Sequence, residues 1–274
     1  MKAGKNELAL LKQRITQERV KSKAIVNLDI TETHTLQIEH PLTKIVFTFY
    51  FMDNLKLKPT KPEAQQKTHP FLPPFEPGIF ITNLSDTHNL LFNKFCVVKN
   101  HCLVVTRKFE NQTNLLNRSD FAAAFKVMRA LEGFCFYNSG PQSGASQAHK
   151  HFQVMPYDKD HRYDIIKLIN KEASRLENPT PSFECSLFKF AHRIGVIPSF
   201  DNNQDYQQIG ESIEAIYESI MKDLKIETKS MSYNLILTES WILVVKRGKE
   251  KAFDMLSVNS LGFLGNFLFL RMLK

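Results

Sequence analysis

Apolar positions along the chain follow two periods, and the alternation between them outlines the elements. Leu8, Leu11, Ile15 and Val20 recur at helical spacing within Asn6–Ile25. That spacing predicts an amphipathic helix whose lysines and arginines form its solvated face. A second helix is predicted from Asp120 to Leu131 with Ser119 as its cap, and a third from Ile165 onward. A fourth is predicted over Gln207–Leu224, where Ile209, Ile213, Ile216 and Ile220 are spaced for one face. Between them lie β-branched and aromatic runs that read as strands: Ile45–Met52, Asn89–Val98, His101–Thr106, Phe134–Tyr137, Phe183–Ile197, Met231–Thr238 and Trp241–Lys246. Asn89–Val98 with His101–Thr106 reads as one hairpin, and Met231–Thr238 with Trp241–Lys246 as another, turning at Glu239-Ser240. Phe183–Ile197 reads as a strand pair. The pattern predicts an α+β fold with a mainly antiparallel sheet flanked by helices. Lysine, proline and glutamine crowd the stretch from Pro59 to about Pro77, which reads as a long irregular loop. No repeat or convincing linker interrupts the pattern, so residues 1–274 read as a single domain. Its catalytic segment covers about residues 1–178, and a C-terminal segment over about 179–274 completes the fold.

Composition narrows the class. A hydrophobic fraction of 43% with 22 phenylalanines suits a globular protein and not a disordered one. No apolar run approaches the length of a membrane span, and Met1–Asn6 is too polar for a signal peptide. Cys96, Cys102, Cys135 and Cys185 show no CxxC spacing, and three lie in strand-like runs. They read as buried thiols in a reducing compartment, which makes the expected location cytoplasmic. The net charge of +8 suits a polyanionic nucleotide, and it would suit a nucleic acid too. Without an aromatic–basic repeat or a binding motif, no nucleic-acid partner is expected, and none is expected at a membrane.

The chemistry concentrates in Tyr137–Pro156. From Asn138 to Gln147 the chain is small and polar, with Gly140 and Gly144 among hydroxyls and amides. Such a loop can turn its N–H groups toward a phosphate chain. His149, His151 and Gln153 then alternate with Lys150, Phe152 and Val154, so on a strand the first three share one face. A pair of histidines also suits zinc, but no third ligand stands nearby at ligand spacing, and Gln153 is a better donor to phosphate oxygen than a metal ligand. Phosphoryl transfer without a protein-held metal is the favoured reading.

The run Asn138-Ser-Gly-Pro-Gln-Ser-Gly-Ala-Ser-Gln-Ala-His-Lys-His-Phe-Gln153 resembles the signature of the fungal-type diadenosine tetraphosphate phosphorylases. These enzymes, also called ATP adenylyltransferases, belong to the histidine-triad superfamily. Hydrolase branches of that superfamily carry a third histidine where Gln153 stands, so this residue points to the transferase branch. Further blocks resemble the same family in the same order: Leu90–Val98 with His101–Thr106, Ser232–Thr238, Trp241–Val245 and Ser257–Gly265. They reach over most of residues 55–266.

The resemblance implies a histidine-triad-like fold and a two-step phosphorolysis of diadenosine tetraphosphate to ATP and ADP through a nucleotidyl-histidine. In this scheme His151 is the nucleophile, supported by His149 and Gln153, and Gln153 also contacts the transferred phosphoryl. Gly144, Ala145, Ser146 and Gln147 hold phosphates, with Asn138 close by. Lys58, Asn93, Lys94, Asn259 and Ser260 contact substrate. The implied partners are diadenosine tetraphosphate, ATP, ADP, AMP and phosphate. No covalent cofactor is implied, and a divalent cation, Mg2+ or Mn2+, is expected only in company with the polyphosphate. Related reactions of the superfamily, on a nucleotide-sugar or a nucleoside phosphosulfate or with water as acceptor, stay open, as does a nucleotide binder without catalysis. The sequence departs from the family at Leu261, where a threonine is usual, and at Leu270, where a lysine is usual and Arg271 stands next door. The C-terminal edge of the site is where an altered second-substrate preference is expected.

Overall fold

The computed structural model describes residues 3–27, 34–52, 69–96, 98–157, 162–176, 182–201 and 203–270. Four α-helices form among these residues: α1 (Ala3–Lys21), α2 (Arg118–Leu131), α3 (Asp164–Ala173) and α4 (Tyr206–Asp223). Helix α2 begins two residues earlier than the sequence reading has it, because Asn117 and not Ser119 is its cap. The Asn117 side chain accepts from the N–H groups of Ser119 and Asp120, while Asp120 reaches back to the Asn117 N–H at 2.8 Å. That reciprocal box satisfies more of the open helix end than a lone serine can. Helices α2 and α4 pack closely enough to need Gly210: a Cβ there would stand 2.2 Å from the Arg118 carbonyl oxygen.

Among the described residues fifteen strands, β1 to β15 in chain order, make up the sheets. The largest sheet has eight: β4 (Phe80–Asn83), β5 (His88–Phe92), β7 (Cys102–Thr106), β8 (Gly133–Asn138), β9 (His151–Pro156), β10 (His192–Val196), β11 (Tyr233–Leu237) and β12 (Trp241–Lys246). They lie in the order β10-β12-β11-β8-β9-β7-β5-β4 with antiparallel pairing throughout. Both predicted hairpins form, but the first is shorter than its apolar run. Strand β5 ends at Phe92, and Phe95–Cys96 leaves as β6 to pair in parallel with β1 (Val26–Asn27). The expected strand pair in Phe183–Ile197 reduces to β10 and one bridge from Phe183 to Ile194. Three strands form a second sheet, β15-β3-β2, from β2 (His34–Glu39), β3 (Val46–Met52) and β15 (Asn266–Leu270). A short ribbon pairs β13 (Lys251–Ala252) with β14 (Leu256–Ser257).

Period-two alternation divides the large sheet into two unlike faces. Cys102, Val104, Cys135, Tyr137, Phe152 and Val154 join Phe121, Phe125, Ile213 and Tyr217 of α2 and α4 in the main core. On the reverse face, Phe134, Phe136 and Met155 pack with Ile165, Ile166 and Ile169 of α3. Leu91, Leu103 and Val105 pack there with Phe71 and Ile79 in a separate cluster. His151 and Gln153 alternate with the core-facing Phe152 and Val154, so they stand on the reverse face, between the two apolar clusters.

Candidate active site

The chemistry open to His151 is set by where its two ring nitrogens point. His151 opens β9 and is 6% exposed. Its Nδ1–H donates to the His149 carbonyl at 2.7 Å. A carbonyl only accepts, so Nδ1 holds the proton and Nε2 keeps a free lone pair. Burial pushes the His151 pKa down to about 4, with the neighbouring His149 adding to the effect and its carbonyl opposing it. A neutral imidazole with a committed tautomer is what nucleophilic attack on phosphorus requires. His149 is held the other way round: its Nε2 donates to the Thr106 carbonyl at 2.8 Å and lies 2.9 Å from the Thr106 hydroxyl. Its Nδ1 is buried and makes no hydrogen bond among the described residues, and burial is the main cause that lowers its pKa. Phe71 packs on both rings, with centroids 5.0 Å from His151 and 5.9 Å from His149, and Phe109 meets His149 edge-on at 5.4 Å.

Gln153 lies two residues on, on the same face. Its Oε1 accepts from His101 Nε2 at 3.0 Å, which turns the amide NH2 group the other way as a donor. His101 was legible only as the start of a strand, yet it is what orients this amide. Asn93 stands next to it, with Nδ2 3.3 Å from the His101 ring and Oδ1 accepting from the Phe95 N–H at 3.1 Å. Lys94 is half-exposed, and its Nζ lies 2.9 Å from both carboxylate oxygens of Glu76. Lys58 lies outside the described residues.

The glycine-bearing loop is a short 3-10 turn, Pro141–Ser143, between Gly140 and Gly144. Gly144 has φ +83°, a left-handed conformation that favours glycine, and a Cβ there would stand 3.0 Å from the Asn259 Cβ. The N–H groups of Gly144 and Ala145 are spent inside the turn, on the carbonyls of Pro141 and Gly140. Those of Ser146 and Gln147 find no protein partner among the described residues, and both residues are exposed. The outward donors therefore sit at the second half of the predicted phosphate-holding run.

Asn138 and Ser260 meet beneath this loop, both buried. Asn138 Oδ1 accepts from Ser260 N–H at 3.0 Å, Ser260 hydroxyl at 2.8 Å and Asn234 Nδ2 at 2.7 Å. Asn234 Nδ2 also donates to the Ser143 carbonyl at 2.9 Å. Arg247 in turn donates to Asn234 Oδ1 at 2.9 Å and to carbonyls of Val258, Lys249 and Glu250. This network pins the C-terminal Asn259-Ser260 turn to the loop. Asn234 and Arg247 were missed as site residues, since each looks like an ordinary strand or strand-end residue until β11 is laid beside β8. Among the described residues no group of three or more His, Cys, Asp or Glu side chains is placed to hold a metal ion.

The family model described as Ap4A phosphorylase N-terminal domain matches residues 2–170, and the one described as ATP adenylyltransferase C-terminal domain matches residues 183–271. Diadenosine tetraphosphate phosphorylase 2 of Saccharomyces cerevisiae is 30% identical over 290 residues, covering 94% of this chain and 86% of the relative. Protein APA1 of the same yeast is 29% identical over 260 residues, covering 88% of this chain and 81% of the relative. The crystal structure of yeast Ap4A phosphorylase Apa2 in complex with Ap4A superposes with a TM-score of 0.76 at 28% identity, over 95% of this chain and 89% of that one. Matched by these two models over nearly its whole length and 30% identical to a curated member, the chain belongs to the Ap4A phosphorylase and ATP adenylyltransferase family.

Proposed function

We propose that the protein catalyses phosphorolysis of diadenosine tetraphosphate to ATP and ADP in two displacements at His151. The observation that carries this reading is the ring of His151 itself: neutral, with Nδ1 anchored on a carbonyl and Nε2 unprotonated. In the first step Nε2 attacks an α-phosphorus, the N–P bond forms, and the bond to the bridging oxygen breaks to release ATP. In the second, a phosphate oxygen attacks the adenylyl phosphorus, the N–P bond breaks, and ADP leaves. The charge that spreads over the equatorial oxygens calls for donors already in place. The Gln153 amide and the N–H groups of Ser146 and Gln147 are available for this. Lys58 and Lys94 supply counter-charge to the polyphosphate, Lys94 by exchanging its exposed pairing with Glu76. Asn93, Asn138, Gly144, Ala145, Asn259 and Ser260 complete the substrate-binding set. A divalent cation, Mg2+ or Mn2+, arrives with the polyphosphate as part of the substrate.

Phosphate is the acceptor because Gln153 stands where an imidazole could assist water: an amide donates to the phosphoryl oxygens but does not take a proton. The adenylyl-enzyme should therefore persist until an anion reaches it. The test is to incubate the protein with diadenosine tetraphosphate, with and without phosphate, and to identify the products. Fast, phosphate-dependent formation of ATP and ADP is expected, and equally fast formation of ATP and AMP without phosphate would make the enzyme a hydrolase. Four buried free thiols support a reducing, cytoplasmic location.

A further inference from the structure

Gln112 belongs to no motif, lies between β7 and α2, and is 2% exposed. Its surroundings give it an unusual task. Strands β8 and β9 pair from Gly133 opposite Pro156 to Phe136 opposite Gln153, and there the ladder stops. The same register carried on would set Asn138 opposite His151. On its other side, β9 pairs with β7, where the Thr106 N–H takes the Lys150 carbonyl at 3.2 Å. Antiparallel bonds alternate in direction, so the N–H and C=O of His151 turn away from β7 toward the place where β8 has withdrawn. The Gln112 carboxamide fills that place. Its Oε1 accepts the His151 N–H at 2.8 Å, and its Nε2 donates to the Asn138 carbonyl at 2.9 Å and the His151 carbonyl at 3.2 Å. The Gln112 main chain is fixed as well, its N–H donating to Ala148 and its carbonyl accepting from the Tyr137 hydroxyl.

We propose that Gln112 is the positioning residue of the nucleophile: its side-chain amide serves as a one-residue strand partner for His151 and wedges β8 from β9 at that point. The wedge satisfies a buried backbone that the open ladder would leave unpaired. It also holds the peptide from which the imidazole projects, and with it the aim of Nε2. This inference rests on the reading of His151 as the adenylyl acceptor. Because Gln112 bonds to the backbone of His151 and, within the substrate-binding set, only to the main-chain carbonyl of Asn138, its loss should lower kcat more than it changes KM.

Gln112→Glu separates positioning from folding. A protonated carboxyl reproduces the two shorter of the three bonds, accepting from the His151 N–H and donating its O–H to the Asn138 carbonyl. An ionised one only accepts, and it would face two carbonyl oxygens. Burial raises the pKa of such a carboxyl. The titratable groups facing it are Tyr137, His149 and His151, each shifted toward its neutral form by burial, while Glu110 and Lys150 face one another in the adjoining stretch. The variant should be on the order of 100-fold slower in kcat than the parent at about pH 8. It should regain much of that as the pH falls toward about 5.5, with KM unchanged and the fold intact by circular dichroism. A kcat within about twofold of the parent at every pH would overturn the proposal, as would a loss that low pH does not restore or a variant that folds at no pH. The parent enzyme is the control for the reaction: if it leaves diadenosine tetraphosphate untouched, the activity reading fails by itself. The positioning claim is then read from the 15N shifts of the His151 ring, which should report an Nδ1–H tautomer in the parent and lose it in the glutamate variant at about pH 8. An unchanged tautomer there would refute it.

Discussion

Lowering the pH tests the nucleophile directly, because the first half-reaction needs only a neutral His151 and the substrate. At about pH 5.5 an ordinary imidazole of pKa near 6.5 is neutral in ~9% of molecules, whereas one held at about 4 is neutral in ~97%. Formation of the adenylyl-enzyme should therefore run about tenfold faster at that pH than an unshifted histidine allows, and its acid limb should fall through about 4. The assay is rapid quench of the enzyme with diadenosine tetraphosphate and no phosphate, so that titration of the acceptor does not enter. The same shift has a stability side. A histidine whose folded pKa is depressed costs nothing above the unfolded pKa, where both states are neutral. Below about 6.5 the unfolded chain takes up a proton that the folded one refuses, so stability falls until the pH reaches the folded value. A shift from 6.5 to about 4 corresponds to about 3 kcal/mol lost over that window. Urea denaturation of the parent and of His151→Asn across that range should diverge by this order, with the parent losing more on acidification. An acid limb near 6.5 in the quench data, or parallel stability curves for the two proteins, would refute the reasoning.

Replacing His151 by alanine should abolish turnover, while His151→Gly should be partly restored by added imidazole, and a near-normal alanine variant would remove the nucleophile assignment. Lys94→Ala and Lys58→Ala should each weaken transition-state binding by about 1–3 kcal/mol in kcat/KM. Melting of Lys94→Ala should barely move, since its exposed pair with Glu76 contributes little to stability. Unchanged kinetics in both would return these lysines to the solvated surface. Lys150→Met should destabilise the fold by about 3 kcal/mol, because it strips a buried Asp120 of its ammonium partner 2.5 Å away and leaves it with His88. Adding Asp120→Asn should recover part of that loss, and a single variant as stable as the parent would show that the pair is dispensable.

Much of the molecule was written in local order. Periodicity alone outlined the four helices and the hairpin of β11 and β12, since a helix or a two-strand turn is specified by neighbours a few residues apart. The His149–Gln153 alternation likewise put both histidines and the glutamine on one face, because side chains on a strand alternate whatever lies beyond. Competing local signals blurred the rest: Asn117 and Ser119 both suit a helix cap, and only the Asp120 side chain turning back to Asn117 decided between them. Asn89–Val98 read as one strand because apolar composition cannot report the turn at Asn93-Lys94 that sends β6 to a different partner.

What the tertiary structure decided are the partnerships between distant residues. Lys150 alternates with the histidines as any surface lysine would, yet β9 runs over α2 and buries it against Asp120. Asn138 and Ser260, 122 residues apart, turn out to bond each other, with Asn234 and Arg247 behind them. Gln112 belongs to no motif and His101 only starts a strand, and the bonds they make exist because β7, β8 and β9 are neighbours in the sheet. A side chain's own chemistry is local and can be read from the chain. Its pKa, its tautomer and the direction in which its amide points belong to whatever the fold packs against it.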